Sequence, residues 1–505
     1  MKKRKYLVIM MFMLILVFTL TDSVLSKSIK IILLHTNDMH GHIFPYENPD
    51  IVPSSETIGG FQYLATLIKN ERKANPGKVI LFDGGDIAQG SLYSNISYGI
   101  PMIELMNLLK YDGAVIGNHE FDWGEEKLRN MISSANFPFL SPNIINKKKG
   151  DFFEGARPYI IKDIEGIRIA IIGVACTDTS IIAAKSGTGN YYFYSGEEIL
   201  KKYIPLVKYI HRADIIIILS HEGYEKDKAM ALQVDGIDII IGGHTHLPLY
   251  KPEIVKDTII LQAGKYMEYL GRLEFEYDME RKKITDFYGK LIKIEDNLIE
   301  PDKEINIVME NYRKKYETLA LQEIGRASTD LTITKSRESN LANLIADIIR
   351  ETSKADVGLI NSGGIRENIP KGLITMEKIY RILPFDDLIV TMDLTGRDLE
   401  NIMSCNFRQK HGILQVSGLK LKYNLSSPEA GQLISIMVGN KPVQPDAIYK
   451  VATIEFLADG GNNYEGFKNK KNLHKLVSLR DTVVEYFKNH SPLTGKIEGR
   501  IEIID

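Results

Sequence analysis

Cysteine is almost absent from this chain, with 2 residues in 505. Two thiols cannot make a disulfide scaffold or a thiolate metal cluster, so any metal chemistry must depend on His, Asp, Glu and Asn. A domain of this size can bury an adequate core without disulfides. We therefore expect Cys176 and Cys405 to be free thiols, one in each of two domains.

An excess of charge of one sign is also missing. The chain has 63 Lys+Arg against 65 Asp+Glu, a net charge of −2. This balance argues against a general nucleic-acid binder, because such proteins carry a basic excess or basic stripes. Hydrophobic residues make up 44% and charged residues 25%, which is ordinary for a soluble globular protein and disfavours disorder, collagen and coiled coil.

Long apolar runs are absent apart from one at the N-terminus, over residues 6–20. Basic residues 2–5 precede this run and small or polar residues follow it, which is the layout of a secretory signal. The run is shorter than the roughly 20 residues of a spanning helix. We predict a cleaved signal peptide over residues 1–26, with an uncleaved N-terminal anchor as the alternative. The protein is then exported, whether secreted, periplasmic or at the cell surface, and has no stable membrane span after cleavage.

After the signal, short β-branched runs alternate with longer amphipathic stretches. This alternation predicts an α/β layered domain over residues 27–296. Buried strands are predicted at residues 29–34, 78–82, 113–116, 167–172, 214–219 and 237–241. Helical spacing is found at residues 61–71 and 101–109.

A polar helical stretch follows at residues 297–323, which we interpret as a connecting helix and a candidate hinge. Residues 324–505 are predicted to form a second, smaller α/β domain. It contains one clear amphipathic helix, whose apolar face carries Leu341, Leu344, Ile345, Ile348 and Ile349. Strands are predicted at residues 357–360, 418–423 and 449–453.

Histidine is scarce, at 11 residues, yet seven of them follow predicted strands: His35, His40, His42, His119, His221, His244 and His246. Acidic residues and an asparagine occupy the same strand ends. In open α/β sheets the carboxyl ends of the strands gather along one edge, where ligands bind. We therefore expect eight side chains from five strand ends to converge: Asp38, His40, Asp86, Asn118, His119, His221, His244 and His246.

Each of these motifs has an ordinary structural explanation when it is taken alone. Asp38-x-His40 could be a turn, Gly84-Gly-Asp86 a loop, and Asn118-His119 a helix cap. Their conjunction at five strand ends favours metal binding instead. The donors are too many for one tetrahedral ion, and a carboxylate such as Asp86 can bridge two ions about 3.5–4 Å apart. We predict two divalent ions; Zn, Mn, Co and Fe all suit mixed His and carboxylate ligands.

The motifs Asp-x-His, Gly-Gly-Asp, Gly-Asn-His-Glu, His-Glu-Gly and Gly-Gly-His-x-His, in this order, resemble the calcineurin-like metallophosphoesterase superfamily. The segments His-Thr-Asn-Asp-Met-His-Gly and Gly-Asn-His-Glu-Phe-Asp resemble more closely the exported 5′-nucleotidase, UDP-sugar hydrolase and cyclic phosphodiesterase family. The resemblance covers the whole chain beyond the signal. It implies a four-layer αββα catalytic domain with a two-metal site.

The resemblance also implies a role for each residue of the site. One ion would be held by Asp38, His40 and His246, and the other by Asn118, His221 and His244, with Asp86 bridging them. His119 would stabilise charge on the phosphoryl group or protonate the leaving oxygen, and Asp122 would orient its ring. A carboxylate partner suits a general acid, because it favours the imidazolium and fixes the tautomer.

The second domain is similar to the nucleotide-binding C-terminal domain of the same family. Taken alone, its motifs could be an exposed Arg, a glycine turn and core Phe residues. The similarity implies that Phe385 and Phe456 sandwich the base and that Asn361, followed by the Gly363-Gly364 turn, faces it. Arg337 and Arg366 would reach phosphate or ribose oxygens.

Asn462 departs from the family pattern. Members that act on nucleoside 5′-phosphates usually have Asp at this position, where it accepts hydrogen bonds from ribose hydroxyls. An amide still accepts one bond but loses the charge-assisted strength. The sugar preference therefore stays open, and we expect relaxed ribose recognition.

Together these features predict an exported hydrolase of nucleotide phosphate esters, with nucleoside 5′-monophosphates as the first candidate substrates. The alternatives are a 2′,3′-cyclic nucleotide 2′-phosphodiesterase/3′-nucleotidase and a UDP-sugar pyrophosphohydrolase. A non-catalytic nucleotide-binding surface protein is disfavoured, because every residue of the metal site and of the His119–Asp122 dyad is intact. We expect a small nucleotide as the partner and no nucleic acid duplex, and the sequence predicts no oligomeric state.

Overall fold

The structure of the chain is a computed structural model that describes residues 28–47, 57–183, 185–409, 412–426 and 432–504. The predicted signal peptide lies outside the described residues. Within the described ranges, no helix combines the length and apolarity needed to cross a bilayer.

The N-terminal half is built from strands and helices that alternate along the chain. Its strands are β1 (Ser28–Thr36), β2 (Tyr46–Glu47), β3 (Thr57–Ile58), β4 (Val79–Asp83), β5 (Gly113–Val115), β6 (Phe139–Leu140), β7 (Ile144–Asn146), β8 (Tyr159–Ile164), β9 (Ile167–Val174), β10 (Tyr191–Phe193), β11 (Ile215–Ser220), β12 (Ile239–Ile241), β13 (Glu253–Val255), β14 (Thr258–Leu261), β15 (Tyr269–Asp278) and β16 (Lys283–Lys293). Its helices are α1 (Phe61–Ala74), α2 (Leu92–Asn95), α3 (Ile100–Leu108), α4 (Gly124–Ser134), α5 (Thr179–Ile182), α6 (Lys185–Thr188), α7 (Gly196–Pro205), α8 (Tyr224–Gln233) and α9 (Lys303–Ala320).

Two six-stranded sheets stack face to face in this half. The first has the order β16-β15-β1-β4-β5-β6 and the second β13-β14-β12-β11-β9-β8. Strands β1, β4, β5 and β6 are parallel to one another, as are β9, β11, β12 and β14. Parallel neighbours send their carboxyl ends to the same edge, which is where the histidine-rich loops begin.

Alternating side chains on the strands produce the layers. On β1, Ile31 and Leu33 pack between the two sheets, while Ile32 and Leu34 face the helices. On β11, Ile217 packs between the sheets and Ile218 faces α7 and α8. A sheet with both faces covered needs apolar residues at every position. The predicted four-layer αββα arrangement is confirmed.

The C-terminal half has a separate hydrophobic core. Its strands are β17 (Glu323–Ala327), β18 (Val357–Asn361), β19 (Gly372–Thr375), β20 (Leu388–Thr395), β21 (Leu414–Ser417), β22 (Leu419–Asn424), β23 (Gln432–Val438), β24 (Lys441–Pro442), β25 (Ile448–Ile454), β26 (Lys471–Ser478) and β27 (Ile501–Ile504). Its helices are α10 (Asn340–Ser353), α11 (Met376–Ile382), α12 (Gly396–Ser404), α13 (Glu455–Ala458) and α14 (Leu479–His490). The larger sheet has the order β21-β18-β25-β20-β26, and a second has the order β24-β23-β22-β27.

Helix α9, which connects the two halves, packs against the N-terminal half. Ile305, Met309 and Ala320 of α9 pack in the core of the N-terminal half, whereas the C-terminal core begins at Ile324. The apolar face of α10, predicted from its spacing, is buried. The domain boundaries at residues 296, 297–323 and 324 stay predictions.

Cys176 is buried and Cys405 exposed, and both are free thiols, as expected.

Candidate active site

The residues predicted to bind metal lie in the loops that follow the parallel strands, at one edge of the paired sheets. Two groups of side chains come together there. In each group one ligand atom per residue lies within 4.8 Å of the others: Asp38, His40 and His246 in the first group, and Asp86, His221 and His244 in the second.

In the first group, two imidazoles face each other. His40 Nε2 lies 3.1 Å from His246 Nε2, and His246 Nε2 lies 3.4 Å from Asp38 Oδ1. Burial lowers the pKa of His40 well below its usual range and that of His246 to about 3. Both rings are therefore neutral near pH 7. With Nδ1 of His40 bonded to the carbonyl of Gln89 at 2.8 Å, its Nε2 presents a lone pair, as a metal ligand must.

The second group is centred on Asp86. Its Oδ2 lies 3.0 Å from His221 Nε2 and 3.8 Å from His40 Nε2, so this carboxylate stands between the two groups. Burial opposes a charged imidazole, but the Asp86 carboxylate raises the pKa of His221 to about 10. The pocket therefore strongly favours positive charge.

Asn118 supplies an independent sign that the site fits a cation. Its Oδ1 is buried and has no hydrogen-bond partner among the described residues. An orphaned buried acceptor costs about 1–3 kcal/mol, and a cation held with the second group would satisfy it. The donor set of carboxylate, imidazole and amide oxygen suits divalent ions.

The backbone of the ligand loops is unusual. Five non-glycine residues of the two groups have left-handed backbone angles, at φ values of 47° to 71°: Asp38, His40, Asp86, His244 and His246. Such conformations cost of order 1–3 kcal/mol each and persist where the surroundings over-determine them. Glycine is required beside them: a Cβ on Gly117 would lie 2.3 Å from Asp86 Oδ1, and one on Gly243 2.6 Å from the Gly84 carbonyl oxygen.

Glu120 is a buried residue of this site that the sequence reasoning did not single out. Its Oε2 accepts hydrogen bonds from the backbone N–H groups of Asp86 (3.0 Å) and Gly117 (2.7 Å), and its Oε1 accepts one from Ile87 (2.7 Å). One carboxylate thus joins the loop that carries Asp86 to the loop that carries Asn118. Burial and the neighbouring Asp86 raise the pKa of Glu120 to about 7. Its position at the end of the motif Gly-Asn-His-Glu was the sequence feature that could have identified it.

His119 and Asp122 form a pair beside the two groups. His119 Nδ1 lies 2.8 Å from Asp122 Oδ2, and His119 Nε2 lies 4.0 Å from Asp86 Oδ2. Burial acts to lower the pKa of His119, but the Asp122 and Asp86 carboxylates raise it above its usual value. The ring can therefore hold a proton at Nε2 that faces the centre.

Two residues of the C-terminal half reach this centre. The ring of Phe385 lies 5.4 Å from the ring of His119, with 30° between the planes. The guanidinium of Arg366 lies 6.0 Å above Phe385 and lines a small cavity with His40 and His42. Predicted residues from both halves therefore meet at one place.

The remaining predicted substrate residues lie in turns and at strand ends of the C-terminal half. Asn361 ends β18, its buried Oδ1 is unpartnered within the described ranges, and Gly363 and Gly364 form the following turn. Asn462 is buried at φ 54°, next to Gly461, whose Cβ would lie 2.5 Å from the tip of the Phe456 ring.

Some of the predicted substrate residues of the C-terminal half do not contact one another. Among the described ring contacts, none links Phe385 with Phe456. Arg337 is exposed, and its carbonyl accepts bonds from Thr334 and Gln415. Lys335, two residues earlier and also exposed, was not singled out from the sequence; partial desolvation of its ammonium group, together with Arg366 and Lys265, lowers its pKa.

A four-layer fold, two ligand groups that meet at one carboxylate, and a His–Asp pair beside them define a metal-dependent phosphoester hydrolase. Residues 31–248 match the family model of calcineurin-like phosphoesterases, and residues 323–469 match that of the 5′-nucleotidase C-terminal domain. The chain belongs to the calcineurin-like phosphoesterases that carry a 5′-nucleotidase C-terminal domain.

Individual relatives agree with this assignment. The 5′-nucleotidase of Bos taurus is 29% identical, over 94% of this chain and 91% of that protein. The trifunctional nucleotide phosphoesterase of Bacillus subtilis (strain 168) is 27% identical over 93% of this chain, which spans only 34% of that longer protein. The crystal structure of a 5′-nucleotidase precursor from Thermus thermophilus superimposes with a TM-score of 0.86 at 28% identity, over 94% of this chain and 100% of that one.

Proposed function

We propose that this protein hydrolyses nucleoside 5′-monophosphates to a nucleoside and inorganic phosphate. The observation that carries the proposal is the meeting of the two ligand groups at Asp86, beside a His119–Asp122 pair that contacts Phe385 of the C-terminal half. A cation site for the phosphate, an acid for its leaving oxygen and an aromatic surface for the base are thus close enough together to bind one small substrate. The names of the bovine and Thermus relatives support the same activity.

Two divalent cations are the proposed cofactors. Asp38, His40 and His246 would hold one and Asn118, His221 and His244 the other, with Asp86 shared. When bound, such a pair neutralises phosphoryl charge and supplies a nucleophilic hydroxide near neutral pH. Zn, Mn, Co and Fe are the candidates, because each accepts mixed imidazole and carboxylate ligands.

His119 is the proposed general acid. Asp122 Oδ2 accepts a hydrogen bond from His119 Nδ1 at 2.8 Å, which fixes the ring and leaves Nε2 facing the centre. A proton held at Nε2 can stabilise a phosphoryl oxygen or pass to the departing 5′-oxygen of the nucleoside. Positioned proton transfer of this kind contributes about 10²–10⁴-fold to rate.

The C-terminal half is proposed to bind the nucleoside. Arg366, whose guanidinium lies beside the first ligand group, would hold the phosphate, with Arg337 as a further candidate for phosphate or ribose. Phe385 and Phe456 would sandwich the base, and Asn361 would hydrogen-bond its edge near Gly363 and Gly364. Asn462 would accept one bond from the ribose.

Two other esters are kept as second candidates: 2′,3′-cyclic nucleotides with 3′-nucleotides, and UDP-sugars. The amide of Asn462, in place of the family carboxylate, weakens the case for strict ribose recognition. The Bacillus relative, of which this chain spans 34%, is named a trifunctional nucleotide phosphoesterase, which supports testing more than one class of ester.

Export is proposed from residues 1–26, with the protein acting outside the cytoplasm. N-terminal sequencing of the protein recovered from culture medium and from washed cells tests this. A first residue near 27 in the exported pool is expected, whereas an intact N-terminus on washed cells would favour the anchor.

A substrate panel tests the activity. Metal-stripped full-length protein is loaded with Zn, Mn, Co or Fe in turn, and hydrolysis of AMP, 3′-AMP, 2′,3′-cyclic AMP, UDP-glucose and an aryl phosphate is followed by chromatography of substrate and products. Phosphate release is measured in addition for the three monoesters. We expect AMP to give the highest kcat/KM with at least one metal. If AMP is cleaved no faster than the aryl phosphate, the nucleotidase proposal fails.

A further inference from the structure

The segment that follows β14 contacts the ligand loops at three points, although no residue in it belongs to either ligand group. We call residues 262–267 the strap. It runs from the end of β14 toward β15, and it is hydrogen-bonded to the loop after β1 and to the loop after β12.

Gln262 attaches the strap to the loop after β12. The residue is buried; its Oε1 accepts hydrogen bonds from Thr245 Oγ1 (2.9 Å) and Leu247 N (3.1 Å), and its Nε2 donates to the Gly243 carbonyl (2.5 Å). These bonds bracket the stretch that carries His244 and His246. Gln262 therefore fixes the position of that loop as a whole.

Asn37 attaches the strap to the loop after β1. Its Oδ1 accepts a hydrogen bond from Ala263 N at 2.7 Å, and its Nδ2 donates to the Gly264 carbonyl and to Asp38 Oδ2, each at 2.7 Å. The backbone N–H of Tyr266 adds a bond to the Asp38 carbonyl at 2.8 Å. Asp38 is thus held through both its side chain and its backbone.

The ring of Tyr266 completes the attachment. Its centroid lies 5.6 Å from that of His40 and 5.9 Å from that of His246, both edge-on, and it stacks on His42 at 4.2 Å. Edge-to-face pairs at these distances are favourable and directional. Both imidazoles of the first ligand group therefore rest on one buried aromatic ring.

The second ligand group is supported differently. His221 Nδ1 hydrogen-bonds to the Gly84 carbonyl at 2.7 Å, and the rings of His221 and His244 contact each other at 5.3 Å. Among the described ring contacts, none joins Tyr266 to either of them. The support from Tyr266 is therefore specific to one of the two groups.

The strap is held in an unfavourable backbone conformation. Tyr266 and Met267 are consecutive non-glycine residues at φ 54° and 58°. Conformations of this kind are kept only where surrounding contacts enforce them. One such contact is the bond from Tyr266 N–H to the Asp38 carbonyl.

From this geometry we propose that Tyr266 is a positioning residue for the cation held by Asp38, His40 and His246, and that it acts on this cation and not on the one held with His221. The inference rests on the proposed two-metal function. Residues that orient metal ligands from outside the ligand set affect metal affinity by about 10–100-fold.

The test is calorimetric titration of metal-stripped full-length protein with Mn²⁺, comparing the parent chain with Tyr266→Leu. Tyr266→Phe, which keeps the ring, is the matched control. We expect two binding events in the parent and in the phenylalanine variant. In the leucine variant one event should be unchanged and the other weakened by about 10–100-fold. Equal weakening of both events, or of neither, would overturn the proposal.

Two further variants identify the affected cation. Asp38→Asn should abolish the same event that Tyr266→Leu weakens, whereas His221→Ala should abolish the other one. If the weakened event is the one lost in His221→Ala, the proposal is wrong. If the leucine variant does not fold, Tyr266→Met fills the same space without a ring and must show the same selective loss; two parent-like events there would contradict the role of the ring.

The parent chain separates this inference from the proposed function. A parent that binds fewer than two ions, or that hydrolyses none of the esters in the substrate panel, contradicts the two-metal function itself. A parent that binds two ions and turns over AMP, with Tyr266→Leu equal to it in both events, contradicts only the role of Tyr266.

Discussion

His119 contacts the site differently from the ligand residues around it. Its ring bonds to Asp122 and packs against Phe385, and it belongs to neither ligand group. His119→Ala should therefore lower kcat by about 10²–10⁴-fold while metal content stays at the parent value. Elemental analysis alongside steady-state kinetics checks this, with Asp38→Asn as a control that should lose metal. Loss of metal in the alanine variant would make His119 a ligand.

The pair with Asp122 also predicts a pH dependence. Burial acts to lower the pKa of His119, and the Asp122 and Asp86 carboxylates raise it. An acid with a raised pKa stays protonated to higher pH, so activity should fall only as the pH rises through that value. Asp122→Asn removes one of the two carboxylates and should move the descending limb of kcat/KM to lower pH.

The control for this shift is Asp235→Asn. Asp235 is an exposed carboxylate of the N-terminal half whose Oδ1 lies 2.5 Å from Lys256 Nζ, and among the described residues it contacts none of the site. Profiles of kcat/KM against pH for the parent and both variants decide the matter. A descending limb that stays in place in Asp122→Asn would show that Asp122 does not set the pKa of His119.

How far the sequence predicts single residues depends on the type of contact. Asp86 and His221 follow buried strands, and strand ends converge by topology alone, so their meeting could be expected. Glu120 and Tyr266 act through backbone N–H groups and ring faces that are remote along the chain. No spacing rule gives such contacts, because they depend on how two loops pass each other in space.

At the scale of elements, six of the parallel strands (β1, β4, β5, β9, β11 and β12) were predictable, whereas the short parallel strands β6 and β14 and the antiparallel edges were not. β9 and β11 are buried on both faces and read as continuous apolar runs. β15 alternates apolar residues with Arg272, Glu274 and Glu276, and it pairs with β16 at the sheet edge. A solvated face breaks the apolar run, so the segment was not recognised as a strand.

An ion-pair cluster ties the loop before β19 to helix α11. Glu367 lies 2.8 Å from Lys378 Nζ and 2.9 Å from Arg381 Nε, largely out of solvent. Burial alone would raise its pKa, but Arg381 and Lys378 lower the pKa of Glu367 to about 2. A depressed carboxyl pKa contributes stability above the unfolded value of 4.5 that is lost as the pH falls toward 2.

Glu367→Gln should therefore lower the free energy of unfolding by about 1–3 kcal/mol at pH 7. The difference from the parent should narrow as the pH falls below 4.5. Urea unfolding of both proteins at several pH values measures this difference in the free energy of unfolding. Glu502→Gln, in an exposed pair with Lys422 at 2.8 Å, is the control and should change stability by about 0.5 kcal/mol or less. A pH-independent difference would contradict the linkage.

At the scale of the whole molecule, the two halves touch beside the site. Asn95 Nδ2 donates to the Pro384 carbonyl at 2.9 Å, and the next residue, Phe385, packs on His119. The sequence indicated two domains and a shared site, because ligand motifs and substrate motifs fall in different halves. It could not indicate which loops meet, since these contacts join residues almost 300 positions apart.

Metal removal should destabilise the N-terminal half, because all the proposed ligands lie there. Five of them are held in left-handed backbone conformations, and Asn118 Oδ1 is unsatisfied within the described chain. Ions that bind only the folded state stabilise it by about 2.7 kcal/mol each at 100 times Kd. For a half of this size, binding of two ions should then raise Tm by about 10 °C or more. We therefore expect EDTA to lower the Tm of the parent by this order.

Asp86→Ala is the decisive comparison for this shift, because Asp86 stands between both ligand groups. Its loss should leave a protein whose Tm responds little to EDTA or to added Mn²⁺. Differential scanning calorimetry of both proteins, with and without chelator, measures the effect directly. An equal EDTA shift in the two proteins would place the stabilising ions elsewhere. No shift in a metal-loaded parent would mean that the strained loops are held by the protein alone and that the ions bind too weakly to act as resident cofactors.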